Sequence, residues 1–114
     1  MKRLFLILAL LLSVVATASA QSSRAQSYQR EAEYYQKRAE NYRREAAYYL
    51  KKAEEYQREA AYYTKRGDIK SANIQSDYAK RAMNNYELQM RYAAEADEKA
   101  AMYLRWAAEA LRRN

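Results

Sequence analysis

The chain has 114 residues and a formal net charge of +7, with 13 Tyr, a single Gly and no Cys, His or Pro. No disulfide framework, zinc finger or histidine-based acid–base site can be built from it, and one Gly cannot furnish a glycine-rich phosphate loop or a set of hairpin turns. The missing Pro, with abundant Ala, Glu, Lys, Arg and Gln, predicts long helices.

Residues 1–20 read as a secretory signal peptide. Lys2 and Arg3 form a positive start, Leu4 to Val15 an apolar run interrupted only by Ser13, and Ala18-Ser19-Ala20 a small-residue cleavage signature. The run is shorter than the roughly 20 apolar residues a spanning helix needs, so cleavage before Gln21 and no transmembrane span afterwards are expected. No Cys follows the run, which excludes lipid anchoring. The expected location is outside the cytoplasm, periplasmic or secreted, and bacterial in style because small eukaryotic secreted domains usually carry disulfides.

Without its first twenty residues the chain keeps 94 residues with 19 basic and 14 acidic side chains, a net charge of +5. That remainder contains no Phe and no Val, and its large aliphatics are Leu50, Ile69, Ile74, Leu88, Leu104 and Leu111. A thick globular core is therefore out of reach. Tyr, Ala and Met on helix faces must do the packing.

Residues 21–66 are predicted as the first long helix. It carries three fourteen-residue repeats: SYQREAEYYQKRAE at 27–40, NYRREAAYYLKKAE at 41–54 and EYQREAAYYTKRGD at 55–68. Fourteen residues are two heptads. Ala32, Ala39, Ala46, Ala53 and Ala60 then fall at position a, and Tyr28, Tyr35, Tyr42, Tyr49, Tyr56 and Tyr63 at position d. An unbroken register of this kind predicts an Ala–Tyr seam with a left-handed supercoil. Small a residues let two helix axes approach closely, while the d rings lie across the neighbouring helix with their hydroxyls near water. Tyr34, Tyr48 and Tyr62 at c and Leu50 at e widen the apolar face. Glu33–Lys37, Glu40–Arg44 and Glu54–Arg58 are i,i+4 pairs worth about 0.2–0.5 kcal/mol each.

Gly67 stands where the repeat has Ala, and Gly after basic residues is a helix stop. Residues 67–71 are predicted as a turn and 72–114 as a second long helix, capped by Asp68 or Ser71. In it the frame changes: Ala72, Ala79, Tyr86, Ala93, Ala100 and Ala107 recur every seven, accompanied by Ala82, Ala96, Tyr103 and Ala110, with Met83, Met90, Leu104 and Leu111 on a flank. The predicted fold is all-α, a long antiparallel helical hairpin; one continuous kinked rod is the rival. A hairpin so thin buries little surface alone, so a homo-oligomer is expected.

Catalysis is not expected. The carboxylates alternate with Lys and Arg on exposed helical positions, and di-metal bundle sites need inward Glu with Glu-x-x-His. Neighbouring Tyr could in principle ligate iron, but their heptad spacing marks them as packing residues, and no cofactor or metal site is assigned. The more informative pattern is a cation four residues before and after each c-position Tyr: Arg30-Tyr34-Arg38, Arg44-Tyr48-Lys52 and Arg58-Tyr62-Arg66. At i,i+4 these stack on one helix face as a ladder that suits an anionic envelope polymer or polysaccharide. The plainer reading is internal cation–π contact.

Specific nucleic-acid binding is a poor match, since each repeat carries acid as well as base. Arg66-Gly67-Asp68 spells an adhesion tripeptide at the predicted tip, a motif with many chance occurrences. Trp106 is expected to cover the open end of the bundle. The composite expectation is a non-enzymatic exported coiled-coil protein, self-associating as a scaffold or interaction module of the cell envelope or extracellular space. The alternative is a polymer-binding protein that uses the ladder.

Overall fold

A computed structural model describes residues 23–113 of the chain; the predicted signal peptide lies outside them. Two helices, α1 (Ser23–Lys65) and α2 (Ile69–Arg112), are packed as a hairpin. Both end in a basic residue, Lys65 and Arg112, which complements the negative end of the helix dipole.

The connection is tighter than the five-residue turn the sequence suggests, because 69–71 are already helical. Gly67 adopts φ +78°, the left-handed conformation that Gly reaches without a Cβ penalty. Its N–H donates to the Thr64 carbonyl at 3.1 Å and the Asp68 N–H to the Tyr63 carbonyl at 3.0 Å. That pair of bonds is a Schellman motif, and it satisfies carbonyls that the end of α1 would otherwise leave open. Thr64 Oγ1 donates back to the Ala60 carbonyl at 2.8 Å.

Asp68 then caps α2. Its Oδ1 accepts the Ser71 N–H at 3.1 Å, its Oδ2 accepts the Ser71 hydroxyl at 2.8 Å, and its carbonyl accepts the Ala72 N–H at 3.0 Å. Both cap candidates thus take part, Asp68 as acceptor and Ser71 as donor. The bonds from Ser71, side chain first and backbone second, hold the Asp68 carboxyl below its ordinary range.

The packing divides into two units. The turn-side unit comprises residues 38–95. On α1 it buries Ala39, Ala46 and Ala53, and on α2 Ala72, Ala79, Ala82 and Ala93. Tyr42 meets Tyr92 at 5.4 Å between ring centroids, and Tyr56 meets Tyr78 at 5.4 Å. From the first pair to the second, α1 advances and α2 retreats by the same stretch of chain, which is an antiparallel register. Ala60 is only half-buried, beside an open groove of about 490 Å³ lined by Gln57, Ser76, Ala79 and Met83 among others. Ser76 and Ala79 are too short to cover it.

The end unit comprises the described residues 23–37 and 96–113. Ala25 and Ala32 of α1 are buried against Ala96, Ala100, Leu104 and Ala107 of α2. Leu104, expected on a flank, is buried, while the neighbouring Tyr103 is half-buried. The Tyr103 ring stacks almost parallel to Tyr35 (8°, centroids 5.8 Å apart). With Tyr103 turned to that stack, Leu104 occupies the interior one residue on.

Candidate anion-binding groove

Helical spacing decides which side chains the turn-side unit brings together. On α1, Tyr48, Lys52 and Tyr56 follow at i, i+4 and i+8, with Tyr49 beside them. On α2, Tyr78, Arg81, Ala82 and Asn85 follow at i, i+3, i+4 and i+7. These eight residues line an open groove of about 300 Å³. The Tyr56–Tyr78 contact, tilted at 52°, joins its two walls.

The groove is cationic and aromatic. Lys52 Nζ lies 5.7 Å from the Tyr48 ring centroid, within cation–π range. Tyr48 is 54% exposed and Tyr78 41%, so both offer ring surface to a ligand. Glu55 is the competing anion, with Oε2 3.6 Å from Lys52 Nζ. Among the described residues, Arg81 makes no ion pair within 4.0 Å, and its guanidinium is exposed. An exposed pair such as Lys52–Glu55 is worth about 0.2–1 kcal/mol, little enough for an incoming anion to displace.

The predicted ladder residues are placed unevenly. Arg66 lies over the Tyr62 ring, 5.2 Å from its centroid, and donates to the Tyr62 hydroxyl. Lys52 lies over Tyr48 in the same way, without a hydrogen bond to its hydroxyl. In the first repeat Arg38 lies 5.6 Å from the Tyr42 centroid and donates to the Tyr42 hydroxyl at 2.7 Å. Arg58 Nη2 lies 4.0 Å from Glu54 Oε2. Arg30 and Arg44 are exposed. Each c-position ring stands edge-on to its d neighbour: Tyr34 on Tyr35 at 5.1 Å, Tyr48 on Tyr49 at 5.4 Å, Tyr62 on Tyr63 at 5.4 Å. The contact is local to each repeat, so it recurs with the repeat.

Arg66, Gly67 and Asp68 are all employed by the turn itself: Arg66 on Tyr62, Gly67 at the left-handed position, Asp68 as cap.

Tyr78, Arg81 and Asn85 escaped the sequence reading. They lie in α2 outside the fourteen-residue repeat, and only the pairing of the helices sets them opposite Tyr48 and Lys52. The spacing Tyr78-x-x-Arg81 on one helix face was the available signal. Among the described residues, no cluster of three or more carboxylates is placed to hold a metal ion, and no helix is long and apolar enough to cross a membrane. No protein family, curated protein or solved structure matches the chain.

Proposed function

We propose that this protein is a non-enzymatic, exported coiled-coil protein that self-associates and serves as a scaffold or interaction module in the cell envelope or outside the cell. The observation that carries the reading is the kind of side chain found inside and outside. Among the described residues, every buried hydrophobic residue is alanine except Leu104, while Tyr34, Tyr48 and Tyr62 are 51%, 54% and 49% exposed. A buried methyl contributes only about 0.8 kcal/mol, whereas a buried Tyr ring covers roughly 150–250 Å². The larger store of apolar surface is on the outside, and a second copy is the occupant of matching chemistry. The signal-peptide pattern of residues 1–20 supports export, and the Ala-every-seven pattern supports coiled-coil packing.

Sedimentation velocity on the purified protein tests this. We expect a concentration-dependent oligomer that shifts towards monomer in the Tyr48→Ser, Tyr62→Ser double variant while helicity by circular dichroism is kept. A monomer at all concentrations overturns the reading.

A second reading rests on the groove between Tyr48, Lys52, Tyr78 and Arg81. Two cations from different helices, flanked by exposed rings, suit an acidic polymer of the envelope or an acidic polysaccharide. Binding to such a polymer is expected to fall steeply with salt, and Lys52→Gln with Arg81→Gln to weaken it about tenfold. Retention that does not respond to salt rules this reading out.

A further inference from the structure

The end unit holds a separate aromatic cluster that neither reading uses. Tyr103 is its hub: it stacks on Tyr35 at 5.8 Å, meets Tyr28 at 6.2 Å and takes Trp106 edge-on at 5.3 Å and 86°. Trp106 also meets Tyr28 at 5.7 Å and 62°. Held by two rings, the indole still leaves 40% of the residue exposed. It opens onto a pocket of about 280 Å³ lined by Arg24, Tyr28, Trp106, Glu109, Ala110 and Arg113. Trp106 therefore lies along one wall of that pocket.

Three properties of this pocket narrow the ligand. Its volume is at the lower limit for small-molecule sites, roughly 300–1,000 Å³, so it accommodates one ring. Its indole is already fixed by neighbours, so stacking costs little side-chain ordering. Its charges are two guanidiniums, Arg24 of α1 and Arg113 just past the end of α2, and one carboxylate; among the described residues Glu109 forms no ion pair within 4.0 Å with Arg24 or Arg113. A net charge of +1 suits a monoanion, and Arg grips a planar carboxylate with two parallel bonds. Glu109 would repel a doubly charged phosphate, yet it can accept hydrogen bonds from hydroxyl groups. A ring with a carboxylate, several hydroxyls and an apolar C–H face meets all three conditions.

We propose that this pocket binds a single hexuronate unit. Trp106 and Tyr28 take the C–H face of the sugar, Arg24 and Arg113 its carboxylate, and Glu109 accepts from its hydroxyls. The ligand class agrees with the second reading above, but the residues are different, so the two sites can fail separately.

Trp106 is the one tryptophan of the chain, and its fluorescence reports the site directly. Purified protein is titrated with digalacturonate, with the corresponding neutral disaccharide and with a nucleoside monophosphate. A saturable emission change with digalacturonate is expected, with much weaker responses to the other two. Arg24→Gln combined with Arg113→Gln weakens it at least tenfold; both positions are exposed, and circular dichroism checks that the helices persist. Glu109→Gln, which removes the opposing charge and keeps a carbonyl acceptor, strengthens binding. Lys52→Gln with Arg81→Gln leaves the titration unchanged. The proposal is overturned by no emission change, by equal binding of the neutral sugar, by tighter binding of the nucleotide, or by undiminished affinity in the Arg24, Arg113 variant.

Discussion

Gly67 and Asp68 turn the chain back on itself, and each does so by a separable physical effect. An added Cβ at Gly67 would meet nothing within 4 Å, so substitution there tests conformation alone. Gly67→Ala is expected to destabilise by about 1 kcal/mol, the cost of a left-handed L-residue, and Gly67→Asn by less, as read from urea unfolding midpoints. At Asp68 the test is pH. Its carboxyl is held below the ordinary range by Ser71, so in acid the unfolded chain takes up the proton first. The cap's contribution is full above the unfolded value of about 4 and is lost as pH falls through the lower folded value. Asp68→Asn keeps an acceptor on the cap but does not titrate. Melting curves should show the variant losing less stability than the parent between about pH 5 and pH 2.

For the helices, the question is what an alanine interior tolerates. Ala46 is 1% exposed, and its neighbour Ala47 faces water. Ala46→Leu adds three carbons where the backbones lie close, and overpacking of that kind costs about 1–3 kcal/mol. Ala47→Leu should stay within about 0.5 kcal/mol of the parent. A stabilised Ala46→Leu protein would mean that the helices separate readily to admit the larger side chain. The tyrosines have a different role from the alanines. In the turn-side unit the Tyr42–Tyr92 and Tyr56–Tyr78 contacts fix which residues face each other, because a slipped register would part both ring pairs together.

At the scale of the whole molecule, the proposed association is open to test through stability. Anything that binds the folded form and not the unfolded one raises the melting temperature by mass action. If the partner is a second copy, the apparent Tm climbs by several degrees as protein concentration is raised a hundredfold. A melting temperature independent of concentration would leave the outer tyrosines to a different partner. Added acidic polymer, or digalacturonate at the Trp106 pocket, should raise Tm by the same linkage, and each through its own set of cations.

Much of this protein is legible along the chain because its determinants are local. Helix propensity, the fourteen-residue repeat and the one glycine mark out two helices and the break between them. Of the alanines expected at position a, Ala32, Ala39, Ala46 and Ala53 are buried and Ala60 is half-buried, and Tyr34–Tyr35, Tyr48–Tyr49 and Tyr62–Tyr63 touch because they are neighbours in sequence. The tertiary structure decided what depends on residues far apart in the chain. It brings Tyr78 and Arg81 to Tyr48 and Lys52, buries Leu104 in place of Tyr103, and sets Trp106 between Tyr28, Arg24 and Arg113. A periodic sequence states which face of each helix is apolar. It leaves open how far one helix slides along the other, and that offset, fixed by ring contacts between distant tyrosines, determines which cations share a groove.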